Sequence, residues 1–198
     1  MKKLLSLSLI LVLLALLAAG CAGTAVQSTG TIQLSDGLER PVSLEEPAQR
    51  IVSLAPSATE ILFAIGAGEQ VVGRDSFSNY PESVADLPDV GGSMGDYSFE
   101  AIASLDPDLV VLSEINTPEQ VKSLEDLGLT VYYLKNPADL EGLTPMLEAA
   151  GRMTGREKEA ADLAASLEDR VAKVTETIAQ AQTTPRVFYE LDGSDAGK

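Results

Sequence analysis

The sequence predicts an α/β fold: a parallel sheet covered by helices on both faces, followed by a long helix and one further strand. Three observations carry this prediction. From Arg50 to Gly155, short apolar runs alternate with segments of helical periodicity, the pattern of strands joined by crossover helices. The run DLVVLS (108–113) shows no apolar–polar alternation, as expected of a strand buried on both faces. Residues 156–182 place Ala160, Leu163, Leu167, Val171, Val174, Ile178 and Ala181 at spacings of three and four, the stripe of one amphipathic helix.

Taken in order, TIQLSDGLERPVSL (31–44) reads as two short strands around SDG, because Asp-Gly is a strong hairpin signal. IVSL (51–54) is a strand and Ser57–Ile65 a helix closed by Gly66. VVGR (71–74) is a strand, SFEAIASL (98–105) a short helix and DLVVLS the clearest buried strand. TPEQVKSLEDLG (117–128) is a helix and TVYYL (130–134) a strand. NPADLEGLTPMLEAAGRMTG (136–155) reads as a helix that Pro145 bends or divides. Ser57 with Glu60, and Thr117 with Pro118 and Gln120, fit capping boxes, and Asn136 with Pro137 and Asp139 is a looser version. The helix over 156–182 would span roughly 40 Å at 1.5 Å per residue. It reads either as a spine packed on the lobe or as a coiled-coil strand. PRVFYEL (185–191) starts a further strand before the chain ends in DGSDAGK, which suggests a unit cut short.

The first residues carry a different signal. Lys2 and Lys3 precede the apolar run Leu4–Ala19, which falls short of the roughly 20 residues needed to cross a bilayer. Residues 1–20 therefore read as an export signal. AAG before Cys21 resembles a bacterial lipobox, which would make this single cysteine the lipidated first residue of the mature chain. Residues 21–30 are small and polar, as in a flexible tether. With 30 acidic residues against 14 basic ones the net charge is −16. Such a chain should repel nucleic acid and stand off an anionic bilayer, leaving a covalent lipid as the means of attachment. The expected location is the outer face of the cytoplasmic membrane.

Ligands of open α/β sheets sit at the carboxyl ends of the strands. Ser57 stands at the exit of IVSL, where it caps the helix, faces a ligand, or does both. Arg74, Phe77 and Tyr80 follow the second strand of the sheet, and Met94 and Tyr97 follow VGG (90–92). Both loops should open on the same edge. The aromatic residues either pack locally or touch a ligand. Arg74 either pairs with an anionic chelate or bridges to one of the many acids. Glu100 lies in the first turn of its helix, where a carboxylate favours the positive end of the dipole. There is no His, only one Cys, no GxSxG and no glycine-rich phosphate loop, which argues against an enzyme and against a bare zinc site. No catalytic residue, resident metal or intrinsic cofactor is expected.

Several of these stretches occur together in one known family. SLAPSATEILFAIGAG (53–68), SNYP (78–81), VGG (90–92), FEAIASLDPDLVV (99–111) and the long helix before RVFYE resemble the iron-complex and vitamin B12 solute-binding proteins of ABC importers. In that family two lobes are joined by a rigid helix and the ligand lies between them. The resemblance covers about residues 31–191. It implies a Rossmann-like α/β lobe over 31–155, a connecting helix over 156–182 and the start of a truncated second lobe over 183–198. It further implies a monomer that captures a bulky metal chelate and delivers it to a membrane permease with its ATPase subunits. A corrinoid and a ferric siderophore rank equally as ligand. Haem held by Tyr97 or Tyr80 ranks third. Glu100, matched through FEAIASLDPDLVV, would dock onto permease arginines. The competing reading is a single-lobe lipoprotein that serves as an interaction or signalling module.

Overall fold

The computed structural model describes residues 31–92 and 96–189. Cys21 and the rest of residues 1–30, Met94 and residues 190–198 lie outside that range. Among the described residues there are six strands: β1 (Ile32–Ser35), β2 (Pro41–Leu44), β3 (Ile51–Ser53), β4 (Val71–Arg74), β5 (Leu109–Ser113) and β6 (Val131–Leu134). Five α-helices accompany them: α1 (Pro56–Ala64), α2 (Phe99–Ser104), α3 (Pro118–Asp126), α4 (Leu143–Thr154) and α5 (Glu157–Ala179). Strands β3–β6 form one sheet in the order β4-β3-β5-β6, with every pairing parallel. The predicted α/β architecture is therefore present.

The alternation of side chains along each strand sorts the core into two layers. Ile51, Leu109, Val111, Tyr132 and Leu134 face one side, where they meet Leu62 of α1, Leu147 and Met153 of α4 and Ala160 of α5. Val52, Leu54, Val110, Leu112, Val131 and Tyr133 face the other, against Ile102 of α2 and Val121 and Leu124 of α3. All five residues of β5 are buried, which explains why its sequence shows no period-2 pattern.

The hairpin β1–β2 is antiparallel and lies against the outer edge of the sheet. Asp36 joins the two. Its carboxylate accepts the N–H groups of Leu38 and Arg40 at 2.9 Å and the Arg40 guanidinium. It also accepts the N–H of Tyr133 at 3.3 Å, while the Gly37 N–H donates to the Tyr133 carbonyl at 2.7 Å. Both peptide groups of Tyr133 on the outer edge of β6 are thereby satisfied.

Four details differ from the sequence reading. The N-cap of α1 is Ala55, with Pro56 following it and no side-chain cap. Ser57 is thus already inside the helix, where it cannot bond back to the N-cap position, and the Ser57–Glu60 capping box does not form. At Thr117 and Gln120 both capping-box bonds are present. Helix α4 begins at Leu143 rather than at Asn136: residues 138–142 form bends and a turn in which the Gly142 N–H donates to Asp139 Oδ1 at 3.0 Å, and the Asn136 side chain accepts from Ser113 instead of capping a helix. Pro145 falls in the first turn of α4, where an N–H would have no intrahelical acceptor, so it neither bends nor divides the helix. Residues 185–189 form no strand and are exposed, since no neighbouring strand among the described residues pairs with them.

The first part of α5 packs as a spine: Ala160 and Ala164 are buried, and Leu163 and Leu167 are partly buried against the core. Farther along, Val171, Val174 and Ile178 are exposed. The capping assignments have a direct consequence. Thr117→Ala should cost about 1 kcal/mol of stability, whereas Ser57→Ala should stay within about 0.5 kcal/mol. Urea unfolding of the two variants checks this, and a larger loss for Ser57→Ala would restore Ser57 as a cap.

Candidate functional site

Strand order sets the position of the site. From β3 the chain crosses outward to β4 and then returns past β3 to β5, so the order reverses between β3 and β5. The chain leaves these two strands toward opposite faces of the sheet, and such a switch point is where open α/β sheets receive ligands. Leu54 to Ser57 leave β3, Glu114 to Thr117 leave β5, Asp75 to Tyr80 leave β4, and Lys135 and Asn136 leave β6.

A first hydrogen-bonded group ties the loops of β3 and β5 together. The Asn116 side chain, almost fully buried, accepts the Ser113 N–H at 2.8 Å. Its amide nitrogen donates to the Tyr97 hydroxyl at 2.7 Å and to the Leu54 carbonyl at 3.3 Å. The Tyr97 hydroxyl donates to the same Leu54 carbonyl at 3.0 Å. Toward solvent, the Ser57 hydroxyl donates to that of Ser113, which donates to Asn136 Oδ1, both at 3.4 Å. Gly91 and Gly92 make room for the Tyr97 side of this group: both have positive φ, and a Cβ on Gly92 would stand 2.6 Å from the Tyr97 ring.

A second group holds the loop after β4. Asp75 has no exposed surface; its carboxylate accepts the N–H groups of Phe77 and Ser78 and the Ser78 hydroxyl. The Thr59 hydroxyl lies 2.8 Å from the hydroxyls of both Ser78 and Ser53. Arg74 closes the outer side. It donates to the Val84 and Asp75 carbonyls and pairs with Asp89 at 3.2 Å. Burial alone would raise the Asp89 carboxyl, but the Gly91 N–H, the Ser76 hydroxyl and Arg74 outweigh it and hold the group below its ordinary value.

The predicted residues thus divide. Ser57, in the first turn of α1, and Phe77, Tyr80 and Tyr97, on loops, all lie at the carboxyl edge. Phe77 and Tyr80 are open to solvent, at 54% and 65% exposure. Tyr97 turns its hydroxyl inward onto Leu54 and Asn116, and Arg74 is bound to acceptors within the chain, as in the acid-bridging alternative. Glu100 is exposed on α2, whose N-cap Ser98 accepts the Ala101 N–H. Met94 is outside the described residues. The sequence reading missed Asp75, Ser113, Ile115 and Asn116 and took Asn136 for a cap. Their only sequence signal is a polar residue, or an apolar one beside it, just past a buried strand. Ile115, 59% exposed, is the apolar member of that set. A separate apolar groove of about 860 Å³ lies between α4 and α5, lined by Leu140, Leu143, Leu147, Leu167 and Val171 among others, and shares no residue with this edge.

Comparison with known proteins gives consistent matches. A family model described as periplasmic binding protein matches residues 51–197. A cobalamin-binding protein of Halobacterium salinarum is 31% identical over 165 residues, 82% of this chain and 45% of that protein. An uncharacterized ABC transporter substrate-binding lipoprotein of Bacillus subtilis is 30% identical over 188 residues, 89% of this chain and 59% of that one. Among solved structures, a periplasmic haem-binding protein from Pseudomonas aeruginosa superimposes with a TM-score of 0.63 at 31% identity, covering 68% of this chain and 48% of that one. The chain spans about half the length of the curated relatives it matches.

The tyrosines at and near the edge make stability depend on pH. Burial raises the phenols of Tyr97, Tyr132 and Tyr133. Asp75 adds to the rise at Tyr97 against the opposing Asn116 bond, Asp36 adds to it at Tyr132, and Glu114 and then Asp36 add to it at Tyr133. An unfolded chain ionises its tyrosines near pH 10, before these three ionise in the folded chain. Above that pH the unfolded state binds fewer protons, so the contribution is fully present below about pH 10 and is lost as pH rises through the folded values. Urea unfolding across about pH 8 to 11 should show stability falling at the alkaline end. Tyr97→Phe should make that fall shallower, and an unchanged slope would deny Tyr97 a share in it.

Proposed function

Because this chain belongs to the periplasmic binding protein family, we propose that it is the substrate-binding component of an ABC importer, capturing a bulky metal chelate outside the cell membrane. The observation that carries the reading is the makeup of the strand-exit edge: Phe77, Tyr80 and Ile115 exposed beside the hydroxyls of Ser57 and Ser113 and the Asn136 amide. Apolar area with a few oriented polar groups suits a large ring system that needs shape and a small number of directional contacts. A corrinoid or a ferric siderophore is the preferred cargo, with haem behind them. The cobalamin-binding relative supports the corrinoid, and the haem-binding structural neighbour keeps the porphyrin in view. Tyr97 is a poor axial donor here because its hydroxyl is already engaged, which leaves Tyr80 for that role. The chelate is cargo, and no catalytic step belongs to the reading.

Attachment and delivery complete the proposal. Cys21 would carry the lipid, as the lipoprotein description of the Bacillus subtilis relative suggests for that protein. Glu100, exposed at the start of α2, would meet basic residues of the permease, which is driven by its ATPase subunits. The protein would act as a monomer.

Thermal unfolding of the natural gene product with cyanocobalamin, ferrichrome or haemin tests capture. A ligand at a hundred times its Kd adds about 2.7 kcal/mol, or about 5–10 °C in a domain of this size. A midpoint that rises with the concentration of one chelate is the expected result; no rise with any of the three would overturn the reading. Delivery is tested separately by Glu100→Arg. Uptake of that chelate should fall while its affinity stays unchanged, because rim charges govern docking more than the fit of a buried ligand. Loss of the dipole contact should cost only about 0.3–1 kcal/mol of stability. Normal uptake would withdraw the docking role, and an equal loss of affinity would move Glu100 into the ligand site.

A further inference from the structure

The loop after β4 carries two large aromatic rings into solvent, yet its backbone is held at several points. Asp75 Oδ1 accepts the Phe77 N–H at 2.8 Å and the Ser78 N–H at 3.2 Å, and Oδ2 accepts the Ser78 hydroxyl. The Asp75 N–H donates to the Ser53 carbonyl at 3.0 Å, fixing the hub to the end of β3. From Ser78 the chain of hydroxyls continues through Thr59 to Ser53, all buried. Ser76 adds a bond from its N–H to the Gly91 carbonyl at 2.8 Å and another from its hydroxyl to Asp89 at 2.8 Å. No cation pairs with the Asp75 carboxylate among the described residues, so its charge is met by neutral donors alone. A buried carboxylate without a counter-ion is expensive to desolvate, and in this loop it meets donors from the very residues that carry and follow Phe77.

Exposed rings on a loop ordinarily lose conformational freedom when they bind, and a scaffold that fixes them beforehand reduces that loss. We propose that Asp75 is a positioning residue of the capture site: its carboxylate fixes the loop so that Phe77 and Tyr80 present a preformed apolar face to a flat macrocyclic chelate. This rests on the capture reading above. Asp75 itself is buried and touches no ligand; it acts through the rings. Aromatic side chains prefer offset stacking on other ring systems, and that geometry depends on the direction in which the backbone aims them.

The test uses the natural gene product with Asp75→Ala, Asp75→Asn and the pair Phe77→Ala/Tyr80→Ala, read by amide hydrogen exchange and by affinity for cyanocobalamin and haemin. Asp75→Ala should lose protection at Phe77 and Ser78 while β5 keeps its own, and should weaken the bound chelate about tenfold or more. Asp75→Asn keeps one oxygen for both N–H groups and should restore both readouts. In the Phe77→Ala/Tyr80→Ala background, Asp75→Ala should have no further effect on affinity, since the two changes remove the same contact. Additive losses, an unchanged affinity in Asp75→Ala, or loss of protection throughout the sheet would overturn the proposal. If neither chelate binds the wild-type protein, capture of these ligands fails. The exchange data then decide the hub alone: protection retained at Phe77 and Ser78 in Asp75→Ala overturns it, and protection lost only there upholds it.

Discussion

Burial of β3 and β5 on both faces is the constraint from which the rest of the structure follows. Strands flanked by strands and covered by helices cannot present side chains to a ligand along their length, so polar chemistry is pushed to their ends. There the ladder stops and peptide groups need other partners. The Leu54 carbonyl finds Asn116 and Tyr97, and the Ser113 N–H finds the Asn116 carboxamide oxygen. Each bond that satisfies a strand end also fixes a loop, and the loops are what a ligand would meet. Core and site are thus parts of one arrangement.

The parallel strands were legible in the sequence because double burial writes itself as an unbroken apolar run. IVSL, DLVVLS and TVYYL all fall where β3, β5 and β6 stand. Local chemistry was legible where it was complete within a few residues, as at Thr117 and Gln120, or at Ser98 before α2. It misled at Ser57, where a serine followed three residues later by glutamate has the letters of a capping box but Pro56 has already started the helix. Asn136 misled in the same way: its amide serves Ser113, 23 residues earlier in the chain, instead of a helix start.

The candidate site was only half legible for a related reason. Position after a strand was enough to single out Phe77, Tyr80 and Tyr97. It could not say which of them would face outward, because the Tyr97 hydroxyl is claimed by Leu54, 43 residues away. Arg74 is a similar case. An arginine in an acid-rich chain has many prospective partners, and only the folded loop brings Asp89 and two carbonyls around it. Asp75 was missed although its carboxylate bonds are local, to Phe77 and Ser78 in the manner of an Asx turn; what no local pattern tells is that the fold buries this turn and joins Ser78 to Thr59.

The junction of α4 and α5 has a mechanical side. The two helices meet at small residues: a Cβ added to Gly151 would lie 2.8 Å from that of Ala160, and Gly155 turns the chain between them in the left-handed region. Among the described residues, contact with the core ends near Leu167, while the helix continues to Ala179. At 1.5 Å per residue the unsupported part is a cantilever of roughly 18 Å. Its clamp is the close Gly151–Ala160 contact, so a single methyl inserted there would act as a wedge under the root of the beam. Tilting the root by a few degrees would swing the free end through an arc on the order of an ångström, turning a local change of volume into a change of aim for whatever follows residue 179.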